Sequence, residues 1–524
     1  MMARSTGTGG DDGGGTADTS VVGKESSSRA NSLSSSSLGG VTSSCSMALT
    51  CSAFLLVSLC TMPFGLMYGY SVLVIPIQSI FTPSEPYALS ESHAVWALAG
   101  SLLMSGAALY FLAGCIRLHP KATLIISAVA GALGLALQGA AMDLAQDHRM
   151  AAIAIYYVGQ VAFFGPVCGS TFLLAIFASL AWFSKLCPTL PGLGSGLIGP
   201  SLAVETAVLV WMSFGFNNRL GRGDLCEPPC DEGRLDVFFF VAAAIVGGSL
   251  LGAAHMWRLP SASEPAAARP NTVSRTPSSL SSEPSRVAPK ARVSLTAIDV
   301  ARTRTFWSFF TVFFLTLTPG FGLKLMSSPV VYFTYGFSAA GSNAFTCFYL
   351  ACYGVGRLCT PIMSRGKYER ARKIYMAYSL ASACLLLVSP ATINGLPSRQ
   401  WPSPLLFCIL VATQGFFLGG FKGLMPTSVQ GLWCWMDGDR AYKHYDPIPA
   451  YDLVLGMTNL ALCTAAAVGP VTAWVAYVAP ADANAKQYEI WYYAAGALQL
   501  VATAILATPG VVRRFEPPPR VNEV

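Results

Sequence analysis

Residues 403–431 read SPLLFCILVATQGFFLGGFKGLMPTSVQG, a run whose one charged residue is Lys422. A hydrocarbon core about 30 Å thick takes roughly 20 consecutive apolar residues as a helix, and this run supplies them. Eleven more stretches do the same, near 49–80, 94–114, 122–142, 151–180, 193–215, 236–257, 305–334, 343–363, 373–392, 451–479 and 488–509. Together they form spans 1–12 in chain order, with 403–431 as span 10. The composition agrees, being 53% hydrophobic and 11% charged with a mean hydropathy of +0.51, where a soluble domain carries about 25% charged residues. The expected fold class is an all-α polytopic membrane protein.

The spans fall six and six around a basic, Ser/Pro-rich segment at 258–304. The expected organisation is a disordered tail (1–46), a six-helix half (47–257), a cytoplasmic linker (258–304), a second six-helix half (305–509) and a short tail (510–524). The first tail is rich in Gly and Ser and cannot bury enough apolar surface to offset chain entropy. No short apolar region begins near Met1, so no cleavable signal peptide is expected. The linker holds eight basic and three acidic residues, and its last part, Val293 to Arg304, reads as a surface helix. Most of the 33 Lys and Arg fall on one side of the spans, densest at 364–373, whereas 82–93 and 335–342 have none. The positive-inside rule then places both termini in the cytoplasm. Cys226 and Cys230 lie outside, either as an oxidised pair or as free thiols, and no Asn-x-Ser/Thr sequon occurs.

The halves match each other. Phe64-Gly65-Leu66 in span 1 corresponds to Phe321-Gly322-Leu323 in span 7. Gln160, Phe163, Gly165 and Gly169 in span 4 correspond to Gln414, Phe417, Gly419 and Gly423 in span 10, at nearly the same offset. Parallel six-helix repeats with a site between them near mid-membrane describe the major facilitator architecture, in which spans 1, 4, 7 and 10 line the cavity.

On three segments the chain resembles the major facilitator superfamily, and within it the oxalate/formate antiporter and monocarboxylate transporter-like branch. They are Gly65 to Pro76 in span 1, Trp182-Phe183 with Gly192, Gly194, Gly196, Gly199 and Pro200 entering span 5, and Gly356-Arg357 in span 8 with the basic turn after it. The resemblance implies twelve helices in two pseudo-symmetric halves and a transmembrane carrier. Three features depart from that pattern. The turns after spans 2 and 8 lack the family's Asp, Tyr353 stands where proton-coupled relatives place an acid, and 451–479 holds no Lys or Arg.

Four ionisable residues fall well inside the spans: Glu205, Lys324, Arg357 and Lys422. Intramembrane charges mark pathways by default, and three cations against one acid suit an anionic substrate. Arg357 offers a planar fork to a carboxylate, or else pairs with Glu205, which otherwise serves coupling. Lys324 reads as a cavity contact or as snorkelling outward, and Lys422 as an inner gate contact or as snorkelling inward. Tyr68, Tyr70, Tyr156, Tyr157, Gln160 and Gln414 are the candidate polar groups of the pocket, against interfacial aromatics and ordinary helix–helix hydrogen bonds. Trp433 and Trp435 read as an interfacial belt.

The five histidines show no paired ligand spacing and no phosphate-cradling loop ends in Lys-Ser/Thr, so no enzyme, cofactor, metal or nucleic-acid function is expected. The expectation is a monomeric carrier of a small organic anion, with a monocarboxylate as the leading cargo. A larger carboxylate-bearing nutrient or vitamin and a non-transporting sensor on the same fold are the alternatives. On this reading the second half supplies charge and the first half shapes the pocket.

Overall fold

The computed structural model describes residues 38–81, 93–186, 198, 201, 203–208, 234–257, 301–333, 335, 337–364, 368–394, 403–433, 449–478 and 486–508. Among them the regular structure is entirely helical, and residues 46–524 form one compact unit. Cys226, Cys230, Trp435, the linker up to residue 300 and most of span 5 lie outside the described residues.

Helices occupy the expected spans: Leu38–Gly69, His93–Phe111, Pro120–Leu144, Leu235–Met256, Arg304–Phe333, Ala339–Ser364, Tyr368–Asn394, Ser403–Trp433, Pro449–Val478 and Lys486–Ala507. Span 4 is built from Arg149–Tyr157, Val158–Phe164 and Gly165–Leu186. The first helix begins at Leu38, so residues 38–46, assigned to the tail on their Ser and Gly content, are helical. Ten of the described helices are long and apolar enough to cross a membrane. Span 8 has the length, but Ser342, Thr346, Tyr349, Tyr353 and Arg357 interrupt its apolar run. The chain is an integral, multi-pass membrane protein.

Packing repeats between the halves. Span 2 packs on span 4 as span 8 packs on span 10, and span 3 on span 6 as span 9 on span 12. Glycines make the closest approaches. A Cβ at Gly165 or Gly169 would overlap the backbone of Ser101 or Ser105 in span 2, and one at Gly419 or Gly423 that of Tyr353 or Arg357 in span 8. Small residues four apart let two membrane helices touch backbone to backbone, which explains the repeat seen in the sequence. Across the halves, span 2 lies along span 11, with Gly106 against Cys463, and the start of the broken turn in span 1 lies against span 7.

Two irregularities shape the interior. Span 1 passes into a 3₁₀ turn at Tyr70–Val72 and resumes as Val74–Phe81. Pro76 lacks the N–H that would bond the Val72 carbonyl, and its ring crowds that carbonyl, which favours a break in the α-helix there. In span 4, Val158–Phe164 is a π-helical turn, with the Gly165 N–H donating to the Gln160 carbonyl. At the chain's far end Arg372, from the basic turn after span 8, donates through Nε to the Leu506 carbonyl at 3.0 Å. A cation there also suits the negative end of the last helix dipole.

Candidate functional site

The three buried cations of the second half converge on one tyrosine of the first. Tyr68 lies in the last turn of the first helix and is 2% exposed. Lys422 Nζ donates to its phenol oxygen. Lys324 Nζ stands 3.2 Å from the centroid of its ring. The Tyr68 hydroxyl is 3.4 Å from that of Tyr353, which accepts from Arg357 Nη1 at 2.9 Å. Aromatic rings complete the surround. Lys422 Nζ is 4.3 Å from the Phe321 centroid, and Arg357 Cζ is 5.6 Å from the Phe172 centroid. Phe172 in turn stacks on Phe64 at 4.6 Å.

Energetics show what this arrangement can do. Burying one ammonium or guanidinium costs on the order of several kcal/mol. A desolvated ring face returns about 2 kcal/mol, and a hydrogen bond with one charged partner about 1.5–3 kcal/mol. Phenols and ring faces therefore hold the cations in place, while three like charges gathered in one seam still repel. A ligand carboxylate would offset that repulsion and accept hydrogen bonds that the phenol oxygens now take.

A cleft opens beside the cluster, between spans 1, 2, 7 and 11. It spans about 320 Å³, its open side included, and Met67, Tyr68, Ser71, Phe321, Lys324 and Pro470 form much of its wall. Lys324 reaches the cleft directly. Tyr68 stands between the cleft and the pair Lys422 and Tyr353.

The fold built around this seam can be compared with known proteins. No protein-family model matches the sequence, and no curated protein matches it either. Solved structures do match. A D-xylose-proton symporter is 13% identical and superposes with a TM-score of 0.55, over 88% of this chain and 98% of its own. The nucleoside transporter NupG is 10% identical, with a TM-score of 0.54 over 87% of this chain and 98% of its own. The xylose transporter XylE from E. coli, in a partially occluded inward-open conformation, is 10% identical, with a TM-score of 0.54 over 87% and 97%. This is the major facilitator fold. At these identities the likeness is one of fold; in this chain Lys422 and Lys324, from spans 10 and 7, contact Tyr68 of span 1.

Other candidates sit elsewhere in the facilitator fold. Gln160 donates to Ser101 Oγ at 3.2 Å, joining spans 4 and 2. Gln414 accepts from Ser382 Oγ at 2.7 Å and donates to the Ser382 carbonyl at 2.9 Å, joining spans 10 and 9. These are helix–helix hydrogen bonds. Tyr157 is half-buried with its ring 6.0 Å from that of His93, at the start of span 2. Its neighbour Tyr156 is buried against Phe81. Tyr70 is buried on the 3₁₀ turn, and its hydroxyl has no hydrogen-bond partner among the described residues. Snorkelling does not describe the two lysines: Lys324 is 7% and Lys422 3% exposed, both turned into the protein.

The alternative pairing of Arg357 with Glu205 is replaced by other contacts. Glu205 Oε1 accepts from the Thr61 and Ser201 hydroxyls, each at 2.7 Å. Sequence reasoning passed over Tyr353, Phe172 and Phe64 as site residues. Tyr353 carried a signal, since it lies four residues before Arg357 and so on the same helix face.

Proposed function

We propose that the protein is a secondary transporter of a small organic anion, with a monocarboxylate as the best-fitting cargo, working by alternating access of its two halves. The observation that carries this reading is the convergence of Lys324, Lys422 and Arg357 on Tyr68. Glu205 is the one acid among the buried described residues, and its hydrogen bonds lie on the span 1–span 5 seam rather than in the cluster. The cleft that Lys324 lines is narrow, which favours a small cargo over a large one. The solved symporter and transporters above lend the carrier reading their fold.

The mechanism starts from the wall of the cleft. A carboxylate entering meets Lys324 first. It then competes with the Tyr68 phenol for Lys422, and with the Tyr353 phenol for the Arg357 fork. Tyr68 belongs to one half and the cations to the other, so this exchange of partners alters a contact that spans the interface. The carrier is a monomer in this reading, with both termini cytoplasmic as the Lys and Arg distribution favours.

The test is reconstitution of the full chain in liposomes, with counterflow of labelled acetate, lactate and pyruvate and a parallel set of larger carboxylates. Saturable counterflow of one small monocarboxylate is the expected result. Flux of larger carboxylates alone would reassign the cargo. Binding with no flux would indicate a sensor built on this fold.

A further inference from the structure

A second buried polar site lies apart from the cation cluster, on the seam between spans 1 and 5. Glu205 is 7% exposed. Oε1 takes the Thr61 and Ser201 hydroxyls, and Ser201 Oγ is also 2.7 Å from Ser58 Oγ. Oε2 is buried with no hydrogen-bond partner among the described residues. It lies against Gly65, where a Cβ would come within 2.8 Å of the Glu205 Cβ and 3.2 Å of Oε2. The groups facing the carboxyl from span 1 are the Ser58 and Thr61 hydroxyls and the Cys60 thiol, and from its own span Ser201. No Lys, Arg or His among the described residues makes an ion pair with it.

We infer that Glu205 Oε2 is a proton-binding site, and that the proton it takes is the one through which a pH gradient drives the carrier. The coupling half of this inference rests on the carrier reading above. The donor geometry selects a proton over a sodium ion. A hard metal cation needs several oxygen ligands around it. Here the Thr61 and Ser201 hydroxyls donate to Oε1 and Ser58 bonds to Ser201, which leaves Oε2 able to offer one ligand, and a proton needs only one. The step is a plain transfer: a proton from water adds to Oε2, the carboxylate becomes a neutral carboxylic acid, and the proton later leaves to water on the other side.

Position and charge link the two sites. Gly65 and Tyr68 are three residues apart on one helix, so the carboxyl and the cation cluster bear on the same turn of span 1. An anion that arrives in the cluster while a proton arrives at Glu205 leaves the buried charge sum unchanged. The empty and loaded proteins then meet the membrane interior with the same net charge.

Infrared difference spectroscopy on the purified full-length chain, taken across a pH titration, tests the site without needing a substrate. The expected result is a carboxylic C=O stretching band that titrates in the wild type, is lost in Glu205→Gln, and persists at a shifted position in Glu205→Asp. An unchanged band in Glu205→Gln overturns the site. Coupling is read separately in liposomes with labelled pyruvate. Glu205→Gln should keep counterflow within about twofold, yet lose accumulation driven by an inward proton gradient. Gradient-driven accumulation that survives in Glu205→Gln overturns the coupling role. If pyruvate and the other small carboxylates fail to move in the wild type, the anion reading and the coupling role fall, and the infrared band still decides the proton site.

Discussion

The seam between spans 2 and 4 and the seam between spans 8 and 10 are built on the same backbone contacts and carry opposite chemistry. Gly165 and Gly169 press on Ser101 and Ser105, while Gly419 and Gly423 press on Tyr353 and Arg357. By these contacts Tyr353 stands where Ser101 stands, and Arg357 where Ser105 stands. In the first half the serines close locally: Ser105 Oγ donates to the Gly165 carbonyl at 2.6 Å. In the second, the larger side chains reach out of the seam to Tyr68 across the interface. Span 1 and span 7 differ in the same way. Thr61, Phe64 and Gly65 correspond to Thr318, Phe321 and Gly322. Gly65 packs on Glu205, whereas Gly322 packs on Gly469 and Trp491. Shared glycines set the helix geometry, and a handful of substituted neighbours give each half its own chemistry.

The largest expected effect separates the two members of one such pair. Arg357→Ala removes a buried charged contact, a change that costs about 2–5 kcal/mol, so uptake should fall about 30-fold or more at equal membrane abundance. Ser105→Ala, its counterpart, should leave uptake within about twofold. Equal losses in the two variants would break the division of labour between the halves.

Next in size is a matched pair on the glycines. Gly165→Val and Gly419→Val each force a side chain into a facing backbone, and overpacking of this kind costs about 1–3 kcal/mol. Thermal unfolding in detergent should show similar losses for both. A loss confined to one would mean that the seams are not equivalent.

A subtler variant probes the contact between the halves. Tyr68→Phe keeps the ring under Lys324 and removes the oxygen that Lys422 and Tyr353 share. Without that competitor, KM should fall about tenfold, the worth of one charged hydrogen bond, and turnover should slow as release becomes harder. A raised KM would make the Tyr68 hydroxyl a ligand for the substrate instead of its competitor. The smallest effects belong to Gln160→Ala and Gln414→Ala, about 1 kcal/mol of stability each with uptake unchanged, as unfolding and counterflow side by side would show.

Much of this was legible from residues alone. Apolar runs located the helices, since a bilayer imposes length and hydropathy on each span. The paired glycines exposed the repeat because backbone contact admits little else. Buried cations stood out because intramembrane charge is costly. What each charge touches was not legible. Lys422 lies 354 positions from Tyr68 along the chain, and no local periodicity reports so distant a partner. Tyr353 registered as a departure from a family pattern, and its role as a bridge between Arg357 and Tyr68 came only with the fold. The two glutamines aligned perfectly in sequence, yet they bond different neighbours.

That last difference traces to the π turn in span 4. An α-helix advances about 100° per residue, and a π turn accommodates one extra residue, so everything beyond it is set back in phase. Gln160 and Gly165 thereby meet the same residue, Ser101, whereas in the regular helix of span 10 Gln414 turns to Ser382 and Gly419 to Tyr353. Restored to a regular helix, span 4 would aim Gln160 towards span 3, where the Gln138 amide is buried with neither end hydrogen-bonded among the described residues. Loss of a single residue between 158 and 164 would thus let span 4 close into a regular helix, with Gly165, Gly169 and Phe172 left on the partners that they meet now.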